Sequence, residues 1–524
     1  MLKANSRITT LTKNTIMKNY RFVLFLVLTF CIHAHAQNLK ARIKIDVERK
    51  IGDIDKNIYG NFTEHLGRCI YGGIYDPKSS QASTDGFRKD VLDATKNLGV
   101  TVVRWPGGNF ASGYHWIDGI GPKDQRPKRK DLAWGDIEPN NVGTDEFLKW
   151  SITAGVQPYI CVNLGTGTLD EARNWVEYCN APTGLYYADL RAKNGHPESY
   201  NVVYWGLGNE IDGPWQMGHK NAEDYSKFAL EAAKLMKWSD DKIKLIASGS
   251  SNYGADWTGW NRTVLNTLGN YIDYISLHHY SGNRDTNHYK FMAATNFVEN
   301  VIKITEGQIN ETRTKNHIQK PIYIAFDEYD VWYRAFNQQK LEEHYNMQDA
   351  LVVAEYLNCF IRNAQIVKMA NMAQLVNVIA PMMITNDKLW FQITYYPLQL
   401  FAQNCTGESI ASFVDCDTYN AGDYKNVPYL DISVVYNDST KELLINVVNR
   451  HLDKAVETSI ENQFGKLASK ATVYEVNAAS ITDENTVNEQ KVKTTEGQID
   501  VKDNTVTYSF APHSFTMIKV KLNK

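Results

Sequence analysis

The chain has 524 residues, which is more than one ordinary domain contains, so two structural units are expected. Hydrophobic residues make up 43% of the chain and charged residues 22%, as in a soluble globular protein. A formal net charge of −3 excludes a broad basic face for nucleic acid and a polyanionic tail.

Residues 1–36 have the pattern of an export signal rather than of a folded segment. A short basic stretch begins at Met17, which we take as the true start, and an apolar run follows at residues 22–32. The run is too short to cross a bilayer. The small-x-small pattern at residues 34–36 indicates cleavage before Gln37. The sequence therefore predicts a protein exported to the periplasm or secreted.

Between residues 57 and 403 apolar strand-like runs alternate with amphipathic helical segments, the pattern of a parallel α/β barrel. Eight predicted strands would close a (β/α)8 TIM barrel. They span residues 57–62, 100–105, 157–163, 202–207, 244–249, 272–278, 321–326 and 376–381. The predicted helices span residues 87–98, 146–153, 169–178, 222–238, 289–308 and 349–369.

From residue 404 to residue 524 the pattern changes to short strands separated by turn residues. Predicted strands at 429–436, 442–448 and 515–520 are typical of an all-β sandwich. Within the segment 37–56, residues 41–47 alternate strictly between apolar and polar. This segment precedes the barrel and has no barrel partner, so we expect its strand to pair into the sandwich.

Carboxylic acids follow two of the predicted barrel strands. Glu210 follows an apolar run through Gly208 and Asn209, and Glu328 follows a second run in Asp-Glu-Tyr-Asp. Taken alone, the first pattern is more often a turn, and the second is more often a solvated acidic loop. However, carboxyl ends of barrel strands meet at one face, so both acids are expected there. Two carboxyl groups are the equipment for double-displacement glycoside hydrolysis.

Other strand ends also carry polar residues. Glu64 and His65 close the first predicted strand, and glycines that admit a close ligand precede Asn109 after the second. His278 and His279 close the sixth, but neighbouring residues of a strand point to opposite faces, so a shared metal is not favoured. Trp134 and Trp332 are each read as either a sugar platform or a packing residue. Periodicity does not separate the two readings.

Four long motifs resemble glycoside hydrolase family 51, whose typical member is an α-L-arabinofuranosidase. They are found in order at residues 58–74, 104–122, 205–210 and 326–333. The resemblance extends from about residue 40 to residues 511–515. It implies a catalytic (β/α)8 barrel, a C-terminal jelly-roll sandwich, retention of anomeric configuration, and no metal or organic cofactor. It also allows a homo-oligomer.

The resemblance also implies roles for individual residues. Glu210 matches the general acid/base and Glu328 matches the nucleophile. The residues that match the sugar-binding set, or support it, are Glu64, Asn109, Asn209, His278, Tyr280 and Gln392. Two positions depart from the family pattern: Asp330 stands where Asn is frequent, and His279 where Gln is usual. Both departures are expected to flank the sugar pocket.

The expected function is therefore a retaining, exo-acting α-L-arabinofuranosidase that acts on arabinose-containing plant glycans such as arabinan and arabinoxylan. An alternative enzyme is a retaining endo-glycanase, an endoglucanase or xylanase, on the same barrel. It would need an open cleft, and the sequence does not define cleft depth. A non-catalytic glycan-binding protein is the alternative from another class, and it would tolerate loss of either glutamate.

Overall fold

A computed structural model describes residues 39–335 and 339–523. The predicted export signal at residues 1–36 lies outside the described residues. None of the helices within the described ranges is long and apolar enough to cross a membrane. The described residues form two large β-sheets, one parallel and ringed by helices and one almost entirely antiparallel.

The first sheet is a closed barrel of eight parallel strands, and neighbours in the barrel are neighbours along the chain. The barrel strands are Gly60–Phe62, Val102–Trp105, Gln157–Val162, Tyr204–Leu207, Lys244–Ala247, Tyr274–Ser281, Tyr323–Val331 and Val367–Ala373. Their side chains are almost all buried, as expected for strands covered on both sides. The predicted α/β barrel class is confirmed.

The prediction of the eighth strand at residues 376–381 is wrong, because that strand is Val367–Ala373. The preceding helix, Met347–Arg362, ends before residue 369, where the apolar pattern had extended it. Residues 376–381 are buried but irregular, with positive φ at Asn377 (63°) and Ile379 (36°). A short apolar run does not by itself separate a strand from a buried loop.

Ten α-helices lie among the described residues, most of them around the barrel. They are Lys89–Leu98, Thr144–Ala154, Leu169–Asn180, Tyr186–Lys193, Ala222–Ser239, Trp257–Leu268, His288–Met292, Ala294–Lys315, Met347–Arg362 and Tyr395–Asn404. Three short hairpins pair Arg129–Lys130 with Ile137–Glu138, Met382–Thr385 with Lys388–Phe391, and Thr418–Ala421 with Tyr424–Pro428.

The helix Ala222–Ser239 illustrates how the helices hold the barrel strands. Asn221 caps its first turn by accepting a hydrogen bond from the backbone N–H of Asp224. Its buried residues recur three and four positions apart, so one face packs against the barrel. On that face the Tyr225 hydroxyl donates to the carbonyl of Leu207 at 2.8 Å. The helix therefore fixes the end of the strand that leads to Glu210.

The C-terminal part of the chain is all-β, as predicted, and nine strands form a second closed barrel. They are Leu39–Ile54, Gly407–Cys416, Leu430–Asn437, Glu442–Asn449, Val456–Asn462, Lys466–Val476, Thr495–Lys502, Thr505–Phe510 and Ser514–Asn523. The first of them pairs antiparallel with the second and parallel with the fifth. Its residues Ile43, Ile45 and Val47 are fully buried in the core of this sheet. The boundaries 37–56, 57–403 and 404–524 of the structural units stay a prediction.

Buried polar contacts join the barrel to the second sheet. The Asn358 amide, on the helix Met347–Arg362, donates to the Asp431 carboxylate at 2.9 Å. One turn earlier Glu355 accepts from the Arg450 guanidinium at 2.7 Å, and both side chains are at most 2% exposed. Removing one partner of a buried ion pair costs about 3–5 kcal/mol, because the other charge is left buried without compensation. A change in the relative position of the barrel and the second sheet would break this pair, so the pair favours the observed arrangement.

Candidate active site

A cavity of about 550 Å³ opens at the carboxyl ends of the barrel strands, the usual site of catalysis in this fold. It is lined by Glu64, Leu66, Gly108, Asn109, Trp134, Glu210, Trp215, Ser251, Tyr253, His278, His279, Tyr280, Glu328, Trp332, Leu341, Gln374 and Ile379. Eight of the ten sequence-predicted site residues are among them, and Asn209 and Gln392 are not.

Glu210 is held at the mouth of this cavity by a tight backbone turn after the fourth barrel strand. Gly208 has φ 82° and Glu210 itself has φ 44°, a left-handed conformation that is uncommon for a residue with a side chain. The Glu210 carboxyl accepts from the Trp215 indole at 2.6 Å and lies 3.0 Å from His278 Nδ1. Burial raises the pKa of Glu210, the Glu328 charge raises it further, and the His278 and Trp215 hydrogen bonds partly oppose this. Glu210 is therefore suited to carry a proton.

Glu328 lies inside the seventh barrel strand, Tyr323–Val331, and is held by two donors. The Arg104 guanidinium donates to Oε1 at 2.5 Å, and the Tyr280 hydroxyl donates to Oε2 at 2.9 Å. The side chain is 6% exposed. Charge-assisted hydrogen bonds of this kind stabilise the ionised form of a carboxylate and fix its orientation. Glu328 is therefore suited to act as an oriented anion.

The two glutamates face each other across His278. One ligand atom each from Glu210, His278 and Glu328 lie within 4.8 Å of one another. In retaining glycosidases the two carboxyl groups are about 5–5.5 Å apart, whereas inverting enzymes leave room for a water at about 6.5–9.5 Å. The observed separation fits the retaining geometry.

The His278 imidazole contacts three carboxylates of the site. Its Nδ1 lies 3.0 Å from Glu210 and 3.4 Å from Glu328, and its Nε2 lies 3.2 Å from Asp327. Burial acts to lower the pKa of His278, but the Glu328 and Asp327 charges outweigh burial and raise it to about 10. The imidazolium places a positive charge between the two glutamates.

Asp327, next to Glu328 in the sequence, is the counter-ion of Arg104 and His278. Burial acts to raise its pKa, but Arg104 and His278 outweigh burial and lower it to about 2. The Tyr159 hydroxyl also donates to Asp327 at 2.7 Å. Asp327 therefore stays ionised, and its fixed negative charge balances the cations beside it.

Glu64 also lines the cavity and lies within a network of donors. It accepts from the Phe110 backbone N–H and the Trp134 indole, both at 3.0 Å, and from the Gln374 amide at 3.3 Å. Burial raises the pKa of Glu64 to about 8, and the Glu328 charge adds to this, although the two N–H donors oppose it. Glu64 is thus a third carboxyl of the site, held neutral near pH 7 and able to donate a hydrogen bond.

Trp332 and Tyr280 form part of the cavity wall beyond Glu328. Their rings meet edge to face with centroids 5.7 Å apart. The Trp332 indole N–H donates to the carbonyl of Ala335 at 3.0 Å, which anchors the ring in its loop. Asn109 lines the same cavity and precedes Phe110, whose backbone N–H donates to Glu64.

Asn209 and Gln392 lie away from the cavity surface. The Asn209 amide accepts from Arg104 at 2.6 Å and donates to Gln216 at 3.3 Å. These bonds help to orient Arg104, which in turn contacts Glu328. Gln392 is fully buried, and its amide bonds only to the backbone of Tyr345, Glu343 and Ala380 among the described residues. Gln392 therefore does not line the cavity, whereas Gln374 lines it beside Glu64. The assignment of Gln392 to the sugar subsite stays a prediction that its position does not favour.

The two departures from the family pattern differ in their placement. His279 lines the cavity, and its Nδ1 lies 2.7 Å from the Tyr356 hydroxyl. Burial lowers the pKa of His279 to about 4, so it is neutral, as the usual Gln would be. Asp330 does not line the cavity. It is fully buried, and burial raises its pKa well above the usual range, so it too resembles the neutral Asn of the family.

Arg104 is the main residue of the site that the sequence interpretation missed. It is 1% exposed and contacts Glu328, Asn209 and Asp327, the last at 3.7 Å. Its signal was a single arginine within the apolar run Val102–Trp105. A buried charge requires partners, so such an arginine points to carboxylates at the same level of the barrel.

Comparisons with known proteins give a consistent family. Residues 94–301 match the family described as "Alpha-L-arabinofuranosidase 1 domain", and residues 327–514 match "Alpha-L-arabinofuranosidase C-terminal domain". A Bacillus subtilis protein named intracellular exo-α-(1→5)-L-arabinofuranosidase 1 is 41% identical over 92% of this chain and 99% of its own length. A Halalkalibacterium halodurans protein named intracellular exo-α-(1→5)-L-arabinofuranosidase is 42% identical over 79% and 85%.

These names contradict the predicted export. Both bacterial relatives are named as intracellular enzymes, so similarity to them points away from the periplasmic or secreted location that residues 1–36 had indicated. The physical reason for the error is that a basic stretch followed by a short apolar run is a weak pattern, and it occurs in segments that are not export signals.

The solved structures agree with the sequence relatives. The thermostable family 51 α-L-arabinofuranosidase from Thermotoga petrophila is 40% identical and superposes with a TM-score of 0.86, covering 92% of this chain and all of that one. The family matches, the relatives and the site geometry all lead to the same assignment. This chain belongs to the α-L-arabinofuranosidases of glycoside hydrolase family 51.

Proposed function

We propose that this enzyme is a retaining, exo-acting α-L-arabinofuranosidase that releases L-arabinose from arabinan, arabinoxylan and their oligosaccharides. The observation that carries the proposal is the separation of the two carboxyl groups. Glu210 and Glu328 place oxygens within 4.8 Å of each other; burial favours a proton on Glu210, and the Arg104 guanidinium contacts Glu328.

In the first step Glu328 attacks the anomeric carbon of a terminal arabinofuranosyl unit. The bond to the glycosidic oxygen breaks, and Glu210 delivers its proton to that oxygen, so the alcohol of the remaining glycan leaves neutral. The product is an arabinosyl ester of Glu328. The donors from Arg104 and Tyr280 orient the attacking carboxylate and stabilise it until the bond forms.

In the second step Glu210, now ionised, takes a proton from a water molecule. That water attacks the anomeric carbon, and the ester bond to Glu328 breaks, which regenerates the carboxylate and releases arabinose with its original configuration. His278 contacts both glutamates, so it can shift its hydrogen bond between them as their charges change. Glu64, Asn109, Trp134 and Gln374 are proposed to hold the sugar ring.

Two variants with a matched control test this assignment. Glu328→Gln and Glu210→Gln should each lower turnover of an aryl α-L-arabinofuranoside by at least about a thousandfold, as the loss of a covalent or proton-transfer step requires. Glu231→Gln, on the exposed side of a barrel helix, should retain wild-type turnover. Near-normal activity of Glu328→Gln would exclude this residue as the nucleophile.

A substrate panel separates the proposed enzyme from an endo-glycanase. We expect turnover of the aryl α-L-arabinofuranoside and release of arabinose as the only small product from arabinan. Faster cleavage of a linear β-glucan or β-xylan, with oligosaccharides of mixed length, would contradict the proposal and favour the endo-acting alternative. The assembly of the chain into a homo-oligomer, which the family resemblance allows, is tested by light scattering on the same preparation.

A further inference from the structure

A buried aspartate, Asp212, joins the turn that carries Glu210 to the next loop of the barrel. Asp212 is 8% exposed and lies two residues after Glu210. Its carboxylate accepts from the backbone N–H of Ser251 at 2.7 Å, from the Ser251 hydroxyl at 2.5 Å and from the backbone N–H of Asn252 at 2.8 Å. Both partners follow the fifth barrel strand, Lys244–Ala247, so Asp212 connects the carboxyl-end loops of the fourth and fifth strands.

The turn needs such a restraint because its backbone is strained at Glu210. The left-handed φ of 44° costs free energy and persists only where the surrounding structure holds it. The Gly213 N–H closes the turn by donating to the Glu210 carbonyl at 2.8 Å. The Ile211 N–H reaches the Ser248 hydroxyl only at 3.4 Å. Among the hydrogen bonds between the described residues 210–213 and 248–252, the three that Asp212 accepts are the shortest.

The same turn positions a donor to Glu210. A Cβ atom at Gly213 would lie 2.4 Å from the Trp215 ring, so this ring packs directly against the backbone of the turn. The Trp215 indole donates to Glu210 at 2.6 Å. Ser251, on the other side of the Asp212 link, lines the catalytic cavity with Glu210 and Trp215. Loss of the link would therefore displace the acid, its donor and a residue of the cavity wall.

Asp212 does not itself line the cavity, so its effect on the reaction would be indirect. Burial and the Glu328 charge raise the pKa of Glu210, and hydrogen bonds from His278 and Trp215 oppose them. Asp212 bonds instead to the neighbouring loop. Its contribution is to the position of the Glu210 carboxyl rather than to its charge.

We infer that Asp212 is a positioning residue for general acid catalysis, because its three hydrogen bonds hold the turn that keeps the Glu210 carboxyl within reach of the glycosidic oxygen. The inference rests on the proposed arabinofuranosidase function and concerns only the proton transfer of the first step, whose efficiency depends on this geometry. The attacking carboxylate of Glu328 is held separately, by Arg104 and Tyr280.

The test compares two aryl α-L-arabinofuranosides. A dinitrophenyl group departs as its anion without help, whereas a phenyl group needs the proton of Glu210 to leave. The measured quantity is the ratio of kcat/KM for the phenyl substrate to kcat/KM for the dinitrophenyl substrate. Because kcat/KM covers only the steps up to the arabinosyl-enzyme, the later role of Glu210 as a base does not enter. The fraction of folded enzyme cancels in the ratio.

The variants separate geometry from charge. Asp212→Ala removes all three bonds. Asp212→Asn can keep them, because its amide oxygen accepts from both backbone N–H groups and its amide N–H donates to the Ser251 hydroxyl. Asp212→Glu keeps the charge but is one methylene longer, so it shifts the turn. The control is Asp256→Ala: the exposed Asp256 caps the next helix by accepting from the Gly259 N–H at 2.9 Å and the Thr258 hydroxyl at 3.1 Å.

Asp212→Ala should lower the ratio by roughly tenfold or more, because a misplacement of about 1 Å can reduce the rate of a step a hundredfold. If the alanine variant does not fold, the same fall is expected of Asp212→Glu. Asp212→Asn and Asp256→Ala should keep the wild-type ratio. A ratio that Asp212→Ala leaves unchanged, or that Asp212→Asn lowers as far as Asp212→Ala does, would overturn the inference. If the wild-type enzyme hydrolyses both substrates in that case, the proposed function stands; if it hydrolyses neither, the proposed function fails.

Discussion

Replacement of Trp215 by phenylalanine removes one hydrogen bond from the proposed acid/base and keeps an aromatic ring at the cavity mouth. The Trp215 indole donates to Glu210 at 2.6 Å, and the ring is 51% exposed at the cavity mouth. A donor to a carboxyl oxygen favours its ionised form, so this bond opposes the effect of burial on Glu210. Without the indole N–H, Glu210 should hold its proton to higher pH.

The size of the effect follows from the exposure of the donor. A hydrogen bond to a charged group contributes about 1.5–3 kcal/mol when it is protected from solvent. Water can replace a half-exposed indole in part, so we take roughly 1 kcal/mol as the loss. Because 1.36 kcal/mol corresponds to a factor of ten, this is about a fivefold change in the proton-binding equilibrium.

The assay is the pH dependence of kcat on a substrate with a poor leaving group, for which protonation by Glu210 limits the rate. When the pH profile of each enzyme is normalised to its own maximum, the relative kcat of Trp215→Phe on the basic side of the optimum should be up to about fivefold that of wild type. Trp238→Phe, which changes a 73% exposed tryptophan at the end of a barrel helix, should follow the wild-type profile. A basic limb that stays in place, or moves to lower pH, would refute the reasoning.

Three further predictions concern the groups around the glutamates. Burial raises the pKa of Glu64 from 4.5 to about 8, so the native state loses stability as the pH rises between these two values. The Glu64→Gln variant does not titrate, so its free energy of unfolding relative to wild type should increase by about 1.4 kcal/mol per pH unit over this range and stay constant outside it. Urea titrations of both proteins at pH 4, 6 and 8.5 measure this difference. Arg104→Met should lower the free energy of unfolding by roughly 3–5 kcal/mol, because it leaves buried carboxylates without their cation, whereas Arg104→Lys should cost less; equal losses would contradict an electrostatic role. Gln374→Leu should raise KM for an aryl arabinofuranoside, because Gln374 lines the cavity beside Glu64. Gln392→Leu should leave KM unchanged but lower the free energy of unfolding by about 1–3 kcal/mol, because its buried backbone partners lose their hydrogen bonds. The opposite pattern would support Gln392 as the residue that binds the sugar.

The barrel was predictable because strand and helix periodicities differ and alternate along the chain. The placement of Glu210 and Glu328 at one face followed from that alternation, since carboxyl ends of parallel strands meet there. The N-terminal strand Leu39–Ile54 was also predictable, because its buried residues Ile43, Ile45 and Val47 alternate with polar ones. Each of these signals is local and repeated over several residues.

The misplaced eighth strand also hid a residue of the cavity. Gln374 directly follows Val367–Ala373, so with the correct strand it would have been recognised as a residue at the carboxyl end of the barrel. Gln392 was assigned from the family resemblance alone, and its amide lies in a buried backbone network. An apolar segment such as 376–381 can be predicted to be buried. Whether it forms a strand depends on a neighbouring strand that accepts and donates its backbone hydrogen bonds, and the apolar pattern does not show that neighbour.

The partners of the acids were not readable from the sequence. Arg104 and Glu328 are 224 positions apart, and His278 and Glu210 are 68 apart. Such contacts depend on barrel closure, on the left-handed turn at Glu210 and on the length of each side chain, none of which has a local signature. The acids could be named from the sequence, whereas their different environments required the structure.

Trapping the reaction on the enzyme tests the central claim most directly. In Glu210→Ala, a substrate with a good leaving group should still arabinosylate Glu328, but the base needed for hydrolysis is absent, so the intermediate should accumulate. Intact mass should rise by one arabinosyl residue, and peptide mapping should place it on Glu328. Modification of another residue, or an unmodified enzyme that still releases arabinose with inverted configuration, would contradict the account.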